Sequence, residues 1–170
     1  MKKISIVTTT INIPIFLKNI VQNIKLKKSQ NIFEISIIVI GDKKTPKKTK
    51  KFCDNLSKKF KINILYFDIN FQDKYFKSKY SSIYKLFPYN DAIRKLLGSI
   101  FILNDLPDKV IFIDDDNYCN KNQNFLKDFD IVGEKYNGHT IHNKNCWPNV
   151  YKSFKEKNNI PLYPRGFPWK

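Results

Sequence analysis

Three consecutive carboxylates, Asp114, Asp115 and Asp116, close a short apolar run at residues 110–113 and are followed by Asn117. Carboxylates this close repel one another, and a bound hard cation with oxygen ligands, Mg²⁺ or Mn²⁺, relieves that repulsion most directly. In extended geometry Asp114 and Asp116 point to one side and Asp115 to the other, so the alternate pair can share a metal or a ribose hydroxyl. The plainer alternative is a solvated acidic turn. Other apolar runs also end in polar residues: Thr8, Thr9, Thr10 and Asn12 follow residues 4–7, and Asp42 follows residues 35–40. In an open α/β sheet the ligand site lies beyond the carboxyl ends of the strands, where all of these residues would stand.

A second group is spaced for a helix. Asn90 and Arg94 are four apart and share one edge, Gly98 continues that edge and lets another backbone or a ligand approach, and Lys95 points away from the apolar stripe. An arginine at such a border either reaches a diphosphate bidentately or snorkels to solvent, and helix geometry alone leaves the two readings equal. Only Arg94 and Arg165 are arginines, the other 29 basic residues being lysines, which suggests positions where a planar fork is required. His139, His142 and Cys146 have a spacing that resembles a zinc site but no evident fourth ligand, so a structural role is favoured. Cys53 has no catalytic partner nearby in sequence.

The elements that must position these groups are legible from periodicity. Residues 4–7, 35–40, 62–67 and 110–113 are short, mostly apolar runs rich in β-branched residues that read as buried strands. Residues 15–24 and 47–61 carry apolar residues at helical spacing, the latter beneath a lysine-rich face, and residues 90–103 predict a helix with Ile93, Leu96, Leu97, Ile100 and Phe101 on one face. Residues 68–88 are aromatic and polar without clear period and read as a long excursion with at most a short helix; residues 129–132 offer one more strand. Alternating strands and helices with continuous apolar strands indicate an α/β fold, a mainly parallel sheet with helices on both faces.

Length and composition bound the rest. At 170 residues with 42% hydrophobic content the chain is expected to be one domain. Its 31 Lys+Arg against 15 Asp+Glu leave +16, which points to nucleic acid, an anionic membrane surface or a phosphorylated ligand. Much of that charge reflects a compositional preference for Lys, Asn and Ile. Three widely spaced cysteines without a CxxC pair disfavour a disulfide framework, and no stretch approaches the ~20 apolar residues of a spanning helix. The expectation is a soluble, cytoplasmic protein.

Six segments in order, VTTTIN, IVIGDKKTP, PYNDAIRKLLG, VIFIDDDN, DIVGE and YPRGFP, resemble the reversibly glycosylated polypeptide and STELLO-type glycosyltransferases of the GT-A fold. The resemblance implies a Rossmann-like nucleotide-sugar site and a metal-dependent transferase whose favoured donor is a UDP-sugar, with a glycan or a protein as acceptor. Thr8, Thr9 and Asp42 would line the nucleoside. Asp114 would approach the ribose, with Asp115 beside it, and Asp116 would hold Mn²⁺ or Mg²⁺ between the phosphates, Asp114 being the second metal candidate. Asn90, Arg94 and Lys95 would lie near the diphosphate or sugar, and Arg165 and Gly166 would close over the donor. The family continues beyond its PRGFP segment, so residues 1–170 are expected to form a single GT-A-like domain without an acceptor-binding C-terminal part. Asp130 and Glu134 are the carboxylates on offer as a catalytic base, a role the resemblance gives to neither. The alternatives are a basic module that binds nucleic acid through its lysines and aromatic residues, which three adjacent carboxylates disfavour, and a degenerate relative that binds a nucleotide sugar without transferring it.

Overall fold

Four β-branched segments form the strands of a single sheet: β1 (Lys2–Thr10), β2 (Phe33–Gly41), β3 (Asn63–Phe67) and β4 (Lys109–Phe112). The computed structural model describes residues 1–135, nearly all of them in one unit, Met1–Gly133. The strands are all parallel in the order β3-β2-β1-β4, with Ile4 opposite Ile35, Ile6 opposite Ile111 and Ile37 opposite Ile64. The sheet is covered on both faces, which is why the central strands have no polar alternation. The fold is the expected α/β, Rossmann-like arrangement.

Along β1 and β2 successive side chains feed two separate cores. Ile4, Ile6, Ile35, Ile37 and Val39 meet Leu17, Ile20, Val21 and Ile24 of α1 (Phe16–Leu26) and Cys53 and Leu56 of α2 (Lys48–Phe60). Val7, Ile38 and Ile40 point the other way, towards a second cluster. Both helices leave through a lysine in the left-handed region: Lys28 follows α1 and Lys61 follows α2, each with φ 53°, and the Lys61 amide donates to the Ser57 carbonyl. Burial pushes the Cys53 thiol up to about 12, so this sulfur is an inert core atom.

The second face departs from the sequence expectation in two places. Residues 68–88 contain a full helix, α3 (Ile69–Lys79), and a short one, α4 (Ser81–Tyr84). Asp68 starts α3 by accepting from the Phe71 amide at 2.8 Å, and an aromatic row follows in which Phe67 stacks on Phe71 at 4.3 Å and Phe76 on Tyr84 at 5.9 Å. Rings have little weight on an apolar stripe that also carries Gln and Asp, so the helical period was hidden. The expected helix over 90–103 is a 3-10 turn, Ala92–Lys95, running into α5 (Leu96–Ile102).

Its buried side is also rotated. Ile93 and Leu96 are 44% and 43% exposed, whereas Arg94, Leu97, Gly98 and Ile102 are buried. The tighter 3-10 turn shifts the angular position of every later residue, and the guanidinium finds enough partners inside to stay there. Gly98 faces the sheet, where a Cβ would stand 2.5 Å from Val7 Cγ1, so the close neighbour is a strand and not a ligand. Residues 129–132 are not a strand but a 3-10 turn, Phe129–Ile131, following the short α6 (Phe125–Asp128): Asp130 breaks the apolar run, and its carboxylate accepts from Lys2 and Lys109 at 2.8 Å each. Among the described residues no helix is long and apolar enough to cross a membrane.

Candidate functional site

Where β1, β2 and β4 end, a cleft of about 420 Å³ opens between their carboxyl termini and the loop ahead of α5. It is lined by Thr9, Thr10, Ile11, Asp42, Asn90, Asp91, Ala92, Asp114, Asp115 and Asp116. Topology explains the location. β1 lies between β2 and β4, and the connection leaving β1 runs to one side of it while the connection entering β4 runs to the other, so the connecting chains separate there and leave a crevice.

Threonine extends β1 beyond its apolar part. Thr8 is fully buried and Thr9 Oγ1 donates to the Ile40 carbonyl at 2.9 Å, so the strand continues to Thr10 and the cleft begins at Thr9 and Thr10 instead of Thr8. Thr45 Oγ1 donates to the Thr10 carbonyl at 2.6 Å and accepts from the Asp42 amide at 2.7 Å, tying the ends of β1 and β2 together. The β-branching of threonine was the signal for this extension.

Asp42 forms the wall between β2 and the loop ahead of α5. One carboxylate oxygen accepts from the Lys43 amide at 2.7 Å, and the other accepts from the Asn90 amide, also at 2.7 Å. Asn90 adopts φ 58°, a left-handed conformation that asparagine tolerates better than most residues, and this turns its N–H back towards Asp42. Behind Asp42 lies Arg94, whose Nε is 3.9 Å from Oδ2.

Arg94 does not face the cleft. Its side chain has no solvent exposure; Nη1 donates to the Phe87 carbonyl at 2.9 Å, and Nη2 donates to Tyr84 Oη at 3.0 Å and to Gln72 Oε1. The rings of Tyr89 and Tyr84 lie 4.4 and 5.4 Å from the guanidinium carbon. Gln72 in turn donates to the carbonyls of Gly41 and Phe67. The expectation of a fork aimed at a diphosphate therefore gives way to a fork aimed at the protein itself: three hydrogen bonds from one planar cation, with the ion pair of Nε to Asp42, hold α3, α4, the 87–91 loop and Asp42 together. Nothing local in the sequence distinguishes Gln72, Tyr84 and Tyr89 as its partners.

The acidic triplet is a turn, not an extended segment. The Asn117 amide donates to the Asp114 carbonyl at 3.2 Å, while Asn117 Oδ1 accepts from the Asp114 amide at 2.8 Å and its Nδ2 donates to Asp116 Oδ1 at 3.2 Å. The expected alternation of sides is lost, and all three carboxylates are exposed and line the same cleft. Lys95 reaches across from the turn ahead of α5 and pairs with Asp114. Asp42, Asp91 and the triplet make five carboxylates on one cleft, a third of the fifteen acidic residues in a chain of net charge +16.

Among the described residues no set of three His, Cys, Asp or Glu side chains converges on one metal position. The donors present are hard carboxylate oxygens. They suit Mg²⁺ or Mn²⁺ held by one or two carboxylates with phosphate oxygens completing the shell. A second, apolar cleft of about 350 Å³ adjoins the first at Asp116 and is lined by Phe112, Tyr118, Phe125 and Phe129.

The candidate bases lie elsewhere. Asp130 is tied to Lys2 and Lys109, the first residues of β1 and β4, and so stands at the amino-terminal edge of the sheet, roughly 20 Å from Thr9 at ~3.3 Å per strand residue. Both lysines hold its carboxyl below the usual carboxylate range. Glu134 is exposed and is the first residue of a second unit, Glu134–Lys170. Arg165, Gly166, His139, His142 and Cys146 lie outside the described residues. No family model matches the sequence, and no curated protein matches it.

Proposed function

We propose that this domain binds a nucleotide sugar, with a UDP-sugar the favoured donor, and serves as a metal-dependent glycosyltransferase of the GT-A type or as the donor-binding portion of one. The observation that carries the reading is the acidic cleft at the carboxyl ends of β1, β2 and β4 in an otherwise strongly basic chain. Its position suits a nucleotide, and its charge is wrong for a bare diphosphate. A nucleotide enters such a cleft with a divalent cation between the two sets of anions, so the requirement for metal follows from electrostatics. The free thiols Cys53 and Cys119 agree with a reducing, cytoplasmic setting.

Within this reading Thr9, Thr10 and Ile11 face the nucleoside, and Asp42, saturated by the Lys43 and Asn90 amides, fixes the wall against which it lies. Asp116, with Asp114 or Asp115, takes the cation, which when bound neutralises the charge that builds on the departing diphosphate. Lys95 adds a fixed positive charge at the rim through its contact with Asp114. Glycan or protein acceptors remain equal candidates.

Thermal unfolding with UDP, GDP and UDP-glucose, with and without Mn²⁺, tests the reading. Nucleotide at ~100-fold above Kd stabilises by about 2.7 kcal/mol, a rise of roughly 5–10 °C for a domain of this size. The rise is expected only when Mn²⁺ accompanies the nucleotide, and Asp116→Asn is expected to remove it while leaving the unliganded melting temperature the same or higher, since one repulsive charge is gone. Equal shifts with and without metal, or none with any nucleotide, would overturn the proposal. A protein that binds without transferring gives the same shifts but releases no UDP from UDP-glucose.

A further inference from the structure

A compositional preference for lysine would spread positive charge evenly, and the spread here is uneven. Residues 62–108 carry six basic and five acidic side chains; residues 15–32 carry four lysines and no acid, and residues 43–61 nine lysines and a single acid, Asp54. The two lysine-rich segments are α1 and α2 with their flanks. They lie side by side on the same face of the sheet, where the Lys18 ammonium sits 5.6 Å from the Phe52 ring. Among the described residues, Lys50–Asp54 is the one ion pair on either helix.

The outward stripe of α2 presents Lys47, Lys48, Lys51 and Lys58, all exposed. The outward stripe of α1 carries Lys18 and Lys25 between two aliphatic side chains, Ile15 and Leu26, which are 60% and 73% exposed. These two stand at opposite ends of the helix, about 16 Å apart at 1.5 Å per residue. The result is a broad basic platform with an apolar side chain at each end of one helix.

We propose that this outward face of α1 and α2 docks on an anionic lipid bilayer, its lysines against headgroup phosphates and carboxylates and Ile15 and Leu26 seated at the level of the upper acyl chains. A nucleic acid fits the same charge less well. The rings on this face, Phe52 and Phe60, are half-buried and each lies beneath a lysine ammonium at 5.6 Å, so no bare aromatic is offered for base stacking. Phosphates also give the exposed aliphatic side chains nothing, whereas a bilayer removes them from water. The proposal is independent of the nucleotide-sugar reading and uses none of the cleft residues.

The test is sedimentation of the full chain with phosphatidylcholine vesicles containing about one-third phosphatidylserine, against pure phosphatidylcholine. Binding is expected only to the anionic vesicles and is expected to weaken as NaCl rises from about 0.1 M to about 0.5 M. The quadruple variant Lys47→Gln, Lys48→Gln, Lys51→Gln, Lys58→Gln should lose on the order of 600-fold in partitioning, at roughly fivefold per lysine. Lys74→Gln with Lys85→Gln, on the opposite face, should lose nothing. Ile15→Ser with Leu26→Ser should weaken vesicle binding about tenfold without changing its salt dependence. Circular dichroism melts confirm that each variant is folded. Equal binding to neutral vesicles, an unaffected quadruple variant, or binding to a single-stranded oligonucleotide that ignores the Ile15/Leu26 change while vesicles stay unbound would each overturn the proposal.

Discussion

Beneath α1 and α2 the sheet meets mainly leucine, isoleucine and valine side chains; beneath α3, α4 and α5 the same strands meet Phe67, Phe76, Tyr84 and a buried arginine. The first face is held by area removed from water and would serve any α/β sheet. The second has a directional core, in which a planar cation fixes three segments of chain and, through Asp42, one wall of the cleft. The difference explains how one wall of the cleft is fixed: one face supplies stability, and the other converts stability into the position of particular atoms.

The largest effect should come from the cation. Arg94→Ala leaves Asp42 without its buried counter-ion and Gln72 Oε1 and the Phe87 carbonyl without a donor, and it should cost about 3–5 kcal/mol in urea unfolding. Adding Asp42→Asn should recover part of that loss, because the orphaned charge goes with it. A cost below about 1 kcal/mol would mean that water enters the network and the face is not directional at all.

Leu17→Ala on the opposite face should cost about 3 kcal/mol by leaving a cavity, and should leave any Mn²⁺-dependent nucleotide shift unchanged. Combined with Arg94→Ala its effect should add to within roughly 0.5 kcal/mol, since the two sites share no partner. Marked coupling would show that the two faces are one core. Gly98→Ala should cost about 1–3 kcal/mol, its Cβ meeting Val7 Cγ1, and Val7→Ala in the same chain should relieve most of it.

The smallest effect is a pH dependence. Burial works against ionisation of Asp73, but hydrogen bonds from Tyr84, Lys77 and Tyr89 outweigh it and hold the carboxyl below its usual range. A carboxylate with a lowered folded pKa stabilises fully above its unfolded value of about 3.9, and that contribution fades as pH falls through the folded value. The stability difference between the protein and Asp73→Asn should therefore be constant near neutrality and vanish progressively below about pH 4. A difference that persists in acid would assign the role of Asp73 to packing.

All four strands and both helices of the aliphatic face were legible in the sequence, because β-branched runs and a four-residue apolar period are local signals. The directional face was not. The helix at Ile69–Lys79 was missed because its buried residues, Gln72 and Phe76, do not form an aliphatic stripe, and Arg94 was read as an edge residue because a charged side chain is expected to reach solvent unless its partners are known. Those partners come from residues 5 to 52 positions away in sequence. The carboxylates of the cleft were legible as types and locations, at Asp42 and at Asp114 to Asp116, but not their geometry: the turn closed by Asn117 and the left-handed Asn90 decide which atoms converge.

The two left-handed lysines bear on the backbone as well as on the surface. A helix exit with φ 53° is the natural place for glycine, whose missing Cβ removes a conformational penalty of about 1 kcal/mol, yet this chain has five glycines in all and places Lys28 and Lys61 at both exits. A drift in composition that favours lysine is usually pictured as repainting the surface of a protein. Here lysine also stands at backbone positions that favour glycine, so the exits of α1 and α2 each carry a conformational cost above the aliphatic core.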